Sequence, residues 1–175
     1  MNYKLLISIL GGAAYVILLA SFFVRRKFVV LNAGKLLLKL PGNVSVKDIV
    51  ILVFAAAMIA VIALRSFELY FDVMFVCIAL LAEEIAVREM MVSNNAGVYE
   101  KKILYSSYSI FYDEIEMLPT LAYENDEETT GVDKRFLKVI LRNGKQVEFG
   151  FLDEETRNKV VQTMLSAEPR LKPEN

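Results

Sequence analysis

Long apolar runs fill the first half of the chain and short, alternating ones fill the second, with the change near residue 92. Leu5 to Val24, LLISILGGAAYVILLASFFV, is twenty residues without a charge. At about 1.5 Å per residue such a helix crosses a hydrocarbon core of about 30 Å. The run is longer than the apolar stretch of a signal peptide, and Arg25-Arg26-Lys27 follows it at once, so it predicts an uncleaved transmembrane helix. A second run, Ile49 to Leu64, reaches a full span when Val46 and a snorkelling Arg65 extend it. The third, from Phe67, is interrupted by Glu68 and Asp72 near its start and by Glu83, Glu84, Arg88 and Glu89 in its later turns. With a hairpin tip at 65–68, its membrane part ends near Ile85 and the Glu83/Glu84 pair falls at the far interface. Three transmembrane helices are therefore expected at about 5–24, 47–65 and 67–90, within a region 1–92.

Between the first two lies KFVVLNAGKLLLKLPGNVSVKD, part of a basic connector over 25–46. Leu36, Leu37, Leu38 and Leu40 alternate poorly and sit among Lys35 and Lys39, as in a segment that lies on a membrane surface or packs on a sheet. Pro41-Gly42 predicts a turn, which allows a short hairpin between LLLKL and VSV. An interfacial segment and a strand contributed by 28–46 to the sheet both remain open.

The second half has the periodicity of a small α+β domain, 93–168, followed by a tail, 169–175, expected to be disordered. FLKVILRNGKQVEFGF, residues 136–151, is a hairpin. A three-residue loop, Arg142-Asn143-Gly144, pairs Val139 with Val147 and Leu137 with Phe149. That register gathers Leu137, Val139, Leu141, Val147, Phe149 and Phe151 on one face, so a type I turn with Gly144 left-handed in a bulge is predicted. Asp153 is a helix N-cap, Glu154 and Glu155 suit the positive end of the helix, and Pro169 stops it. Val160, Val161, Met164 and Leu165 form the stripe that covers the sheet. Upstream, Val98, Ile103, Tyr105, Ile110, Tyr112 and Ile115 read as sheet residues, with Lys101-Lys102 and Asp113-Glu114 at turns. Pro119 interrupts the run before a further strand, TLAY. The acidic loop Glu124 to Asp133 lacks the spacing and central glycine of a calcium loop and is expected to be a solvated turn. Five or six strands of a bent antiparallel sheet and one C-terminal helix are expected.

Composition narrows the chemistry. Apolar residues make up 55% of the chain, above the globular average and in keeping with a membrane protein. Residues 1–92 hold nine Lys and Arg against six Asp and Glu, and residues 93–175 hold eleven against fifteen. The acidic balance of the second half argues against a nucleic-acid partner. There is no histidine and a single cysteine, Cys77, in an apolar run, which leaves no disulfide within the chain and makes zinc or triad chemistry unexpected. The basic residues between the first two helices, Arg25 to Lys47, outnumber those on the opposite side. The positive-inside rule then gives a multi-pass protein of the cell (inner) membrane, with its N-terminus outside and its C-terminal domain cytoplasmic.

A sheet closed by one C-terminal helix behind transmembrane helices, carried by NAGVYEKK (95–102), SIFYDEIEML (109–118) and FLKVILRNGKQVEFGF, resembles the YcxB-like bacterial membrane proteins and their pleckstrin-homology-like (PH-like) domain. The resemblance covers about half the chain. It implies a small PH-like bent antiparallel sheet capped by one helix, and a membrane-anchored module of unassigned biochemistry. It also implies seven strands, more than 93–168 supplies unless the connector adds to them. The dense basic cluster that grips inositol phosphates in eukaryotic relatives is missing.

The function expected is a non-enzymatic module that binds a protein or lipid partner at the cytoplasmic face, together with membrane lipids and a protein partner or a second copy. Candidate head-group contacts are Arg25, Arg26, Lys27, Lys35, Lys39, Lys101 and Lys102. No catalytic, cofactor or metal residues are expected. The alternatives are an accessory subunit of a transporter or envelope assembly, held at Gly11 to Ala14 or Ala55 to Ala57, and an interfacial enzyme using Asp113, Glu114 and Glu116. Alternation separates Asp113 from the other two. Asp72, Glu83 and Glu84 lie near predicted interfaces without a basic partner at mid-membrane, so transport by this chain alone is not expected.

Overall fold

The structure is a computed structural model and describes residues 3–42, 45–65, 67–122 and 133–172. The chain divides into a helical unit, residues 1–30 and 43–94, and a sheet unit, residues 31–42 and 95–175.

In the helical unit, α1 runs from Tyr3 to Ala33. It does not stop at the basic cluster, because Arg and Lys are good helix formers and no breaker occurs before Gly34. The helix thus continues nine residues past the apolar run that ends at Val24. Gly34 takes φ +81°, the left-handed conformation that closes a helix. α2 spans Val46–Leu64, with the Ser45 side chain accepting from the Lys47 N–H at its start. α3 spans Leu69–Asn94 and folds back along α2. Ala55 and Ile59 of α2 and Ala79 of α3 are buried together, with Tyr15 of α1 and Met58 against them. Small residues here let the helix backbones approach closely.

Two described helices, α1 and α2, are long and apolar enough to cross a membrane. The expected third span, 67–90, is not among them. It forms a helix of sufficient length, but Asp72, Glu83, Glu84, Arg88 and Glu89 interrupt its apolar sequence.

Among the described residues of the sheet unit, seven strands form two antiparallel sheets. The first holds β1 (Leu36–Lys39), β2 (Gly97–Tyr99), β3 (Lys102–Tyr105) and β4 (Tyr108–Phe111), in that order. The second holds β5 (Ile115–Met117), β6 (Phe136–Leu141) and β7 (Gln146–Gly150). β1 comes from the connector. It pairs with β2 as Leu36↔Tyr99, Leu38↔Val98 and Lys39↔Gly97, around a bulge, and Leu40 continues into the core. The connector therefore joins the sheet, and the domain begins well before residue 93. Ser45 and Val46 of the expected VSV strand instead start α2.

Tyr105↔Tyr108 closes the β3–β4 hairpin over two residues. Ser106 and Ser107 both take positive φ, 47° and 69°, as a type I′ turn demands. The β6–β7 hairpin has the predicted register, Val139↔Val147 and Leu137↔Phe149. Leu141 donates to the Lys145 carbonyl at 2.9 Å and Gly144 is left-handed at φ +78°. All six residues of its predicted inner face are buried.

Tyr112 to Glu114 is a 3-10 turn between the sheets, and Tyr112 packs into the core from it. The expected strand TLAY is instead a single helical turn, α4, Pro119–Ala122, consistent with proline at a first helical position. The acidic loop lies outside the described residues apart from Asp133. α5, Glu154–Ala167, is capped by Asp153 and buries Val160, Val161 and Met164 on the sheets. Residues beyond Pro169 were expected to be disordered. Pro169–Leu171 instead forms a 3-10 turn, with Leu171 in the core and Arg170 donating to the Tyr112 carbonyl at 2.6 Å.

Candidate functional site

The candidate basic residues divide between the two units. Arg25 lies on α1, and its guanidinium reaches both carboxylate oxygens of Glu84 on α3 at 2.6 and 2.7 Å. It is thus held by the helical unit rather than free for a lipid phosphate. Arg26 and Lys27, on the same helix, are exposed.

In the sheet unit, backbone hydrogen bonds gather Lys35 and Lys101. The Glu100 N–H donates to the Lys35 carbonyl at 3.0 Å and the Lys101 N–H to the Ala33 carbonyl at 3.1 Å. The Glu100 carboxylate accepts from the Lys35 N–H at 3.0 Å. Gly34 permits this approach, because a Cβ there would stand 2.8 Å from a Glu100 carboxylate oxygen. Lys35, Lys39 and Lys101 are exposed. Leu36 and Leu37 on β1 are also exposed, so one strand presents apolar and cationic side chains together. Gly34 was missed as a site residue in the sequence. Asn-Ala-Gly after a long helix is the signal, since glycine just past a helix end marks its cap.

Lys102 does not belong to this surface. It opens β3, is only 3% exposed, and holds its ammonium 5.0 Å from the centroid of the Phe111 ring. Burial pushes its pKa down, since losing water disfavours the charged form. The expected turn position and head-group contact are corrected: a residue at a strand start, paired with Phe111, points where the sheet directs it.

The carboxylates considered for interfacial catalysis lie on the 3-10 turn and on β5. Asp113, Glu114 and Glu116 are exposed, and Glu114 accepts from the Phe111 N–H at 3.2 Å. Among the described residues no group of three or more His, Cys, Asp or Glu could hold a metal. Tyr112 is buried and donates to the Tyr99 carbonyl at 2.7 Å, which gives it a structural role; burial pushes its hydroxyl well above the usual tyrosine range. An open groove of about 560 Å³ runs beside β1 and α5, lined by Leu37, Glu100, Gln162, Thr163, Ser166 and Ala167. It brings together no acid–base pair.

Three acids of the helical unit, Asp48, Asp72 and Glu83, are buried. Asp48 is buried at the start of α2, beside Glu89, and Lys47 pairs with Glu89 at 3.3 Å. Asp72 and Glu83 are both 0% exposed. Both are turned into the packed interior of the helical unit, which their position along the sequence alone does not reveal.

Compared with known proteins, the chain matches no family model, no curated protein and no solved structure.

Proposed function

We propose that this chain is a membrane-anchored, non-enzymatic module of PH-like architecture, whose domain binds a partner at the cytoplasmic membrane face, with anionic lipid as the first partner. The observation that carries the reading is the pairing of β1 with β2. β1 follows α1 and precedes α2, whereas β2 follows α3. Both strands belong to one sheet, so residues 36–39 and 97–99 share one side of any bilayer. If α2 crosses the membrane, α3 must return across it, despite its charges. This supports three crossings, and the positive-inside rule then sets the sheet unit in the cytoplasm.

A four-stranded and a three-stranded antiparallel sheet closed by one C-terminal helix support the PH-like reading, with the connector supplying the strand that 93–168 lacked. The exposed pair Leu36 and Leu37 beside Lys35, Lys39 and Lys101 supports contact with an anionic surface. Each well-placed cation there contributes about 1 kcal/mol.

Hydrogen exchange of the full-length protein in nanodiscs tests this. With anionic lipid, amides at 34–40 and 97–102 should exchange more slowly than with neutral lipid. High salt, or Lys35→Gln with Lys39→Gln and Lys101→Gln, should remove the difference. Equal exchange in both lipids sinks the lipid reading and leaves a protein partner.

A further inference from the structure

The helical unit contains chemistry that an anchor does not need. Glu83 is 0% exposed, and neither of its carboxylate oxygens has a hydrogen-bond partner among the described residues. The Leu19 backbone on α1 approaches it without reaching hydrogen-bonding geometry. Asp72 repeats the arrangement, fully buried with both oxygens unpartnered. Asp72, Val76, Ala79 and Glu83 follow the spacing i, i+4, i+7, i+11, so both acids lie on the buried face of α3.

The titratable groups around Glu83 offer no compensating cation. Tyr15 of α1 lies within its electrostatic reach, but its hydroxyl donates to the Leu52 carbonyl at 3.0 Å. Glu84, the next residue on α3, is a like charge engaged by Arg25 of α1. The titratable residues within α2, Lys47 and Asp48, sit in its first turn, where they meet Glu89. An ionised carboxylate buried without a donor or cation costs far more than the neutral acid in the same place.

We propose that Glu83 is a proton-binding site of the helical unit: its carboxylate takes up one proton on an oxygen to become the neutral acid, and returns it only when the packing opens to water. Buried acids of this kind mark proton relays in membrane helices, so the helices carry a function of their own, distinct from partner binding by the sheet unit.

Dicyclohexylcarbodiimide tests this directly, because it forms a stable adduct with a carboxyl group that is protonated and in apolar surroundings. The full-length protein is treated in its membrane, and adducts are mapped by peptide mass spectrometry. Glu83 should be modified at least about tenfold faster than the exposed Glu68, and its rate should fall about tenfold per pH unit above its titration point. Glu83→Gln should abolish that adduct; the wild-type map decides the matter alone if the variant fails to insert. Absence of an adduct at Glu83, a rate equal to that of Glu68, or a rate independent of pH between about 5 and 9 would overturn the proposal. Slowing by sodium at fixed pH would also overturn it, by assigning the site to a metal cation.

Discussion

Excising residues 93–175 as a soluble fragment removes β1 from its sheet, and the structure says what that removal costs. Besides the β1–β2 ladder itself, three backbone hydrogen bonds disappear with the connector: Leu40 N–H to the Ala96 carbonyl, Glu100 N–H to Lys35, and Lys101 N–H to Ala33. At about 1 kcal/mol each they contribute about 3 kcal/mol. Leu40, only 3% exposed and in the core, adds about 2 kcal/mol and the partly buried Leu38 about 1 kcal/mol more. The sum is about 6 kcal/mol before the ladder is counted, against a whole stability of about 5–15 kcal/mol for a domain of this kind. The fragment is therefore expected to unfold without cooperativity or at a much lower urea midpoint than a second fragment, in which residues 31–42 are joined to 95–172 by a flexible linker. Near-ultraviolet circular dichroism can follow the transition through the tyrosines, because the chain contains no tryptophan. Equal midpoints for the two chains would refute the assignment of β1 as a structural strand of the domain.

Three further changes probe the sheet unit. Ser106→Asn combined with Ser107→Gly puts the residues favoured by a type I′ turn where serines now hold φ 47° and 69°, and should raise stability in urea by about 1 kcal/mol; no gain would mean that the turn is not I′ in solution. Tyr112→Phe removes the donor to the Tyr99 carbonyl and should lower stability by about 1 kcal/mol without altering the fold, as read from the amide spectrum. Asp153 accepts from the Thr156 N–H, which holds its carboxyl below the usual range. Its contribution is thus complete above the unfolded value of about 3.9 and is lost as pH falls through the lower folded value. Asp153→Asn should flatten the acid limb of the unfolding midpoint below about pH 4, and an unchanged limb would show that other carboxylates control it.

The parts of the fold that were legible in the sequence are those set by local chemistry. The β6–β7 register followed from one buried face, since a one-residue slip would have exposed Leu137, Val139 and Phe149 together. The Asp153 cap and the Val160, Val161, Met164 stripe needed only helical spacing. What was not legible depended on distant partners. Nothing within LLLK says whether it lies on lipid or on a sheet; its partner, β2, comes only after two further helices. Lys102 looked like one of a basic pair at a turn, yet pairing with Phe111 turned it inward. α1 outran its apolar segment because charge ends a membrane span without ending a helix. The burial of Asp72 and Glu83 was likewise set by the packing of neighbouring helices.

The same separation in sequence constrains assembly. β1 is synthesised before α2 and α3 but has no antiparallel partner until β2 follows them. Until then its exposed edge and its leucines are a hazard for wrong pairing, and closing the sheet carries the loop entropy of the whole intervening segment. Rapid collapse of α2 on α3 into a hairpin shortens that loop, because a helix that folds back along its predecessor returns the chain toward where it left. Substitutions that loosen this hairpin, such as Ala79→Leu at its buried contact, should therefore slow the acquisition of β1–β2 protection in pulsed hydrogen exchange. The β6–β7 hairpin, whose contacts are local, should become protected at an unchanged rate. If both slowed equally, insertion of the helices and closure of the sheet would be one cooperative step, and the hairpin would have no separate role in bringing β1 to its partner.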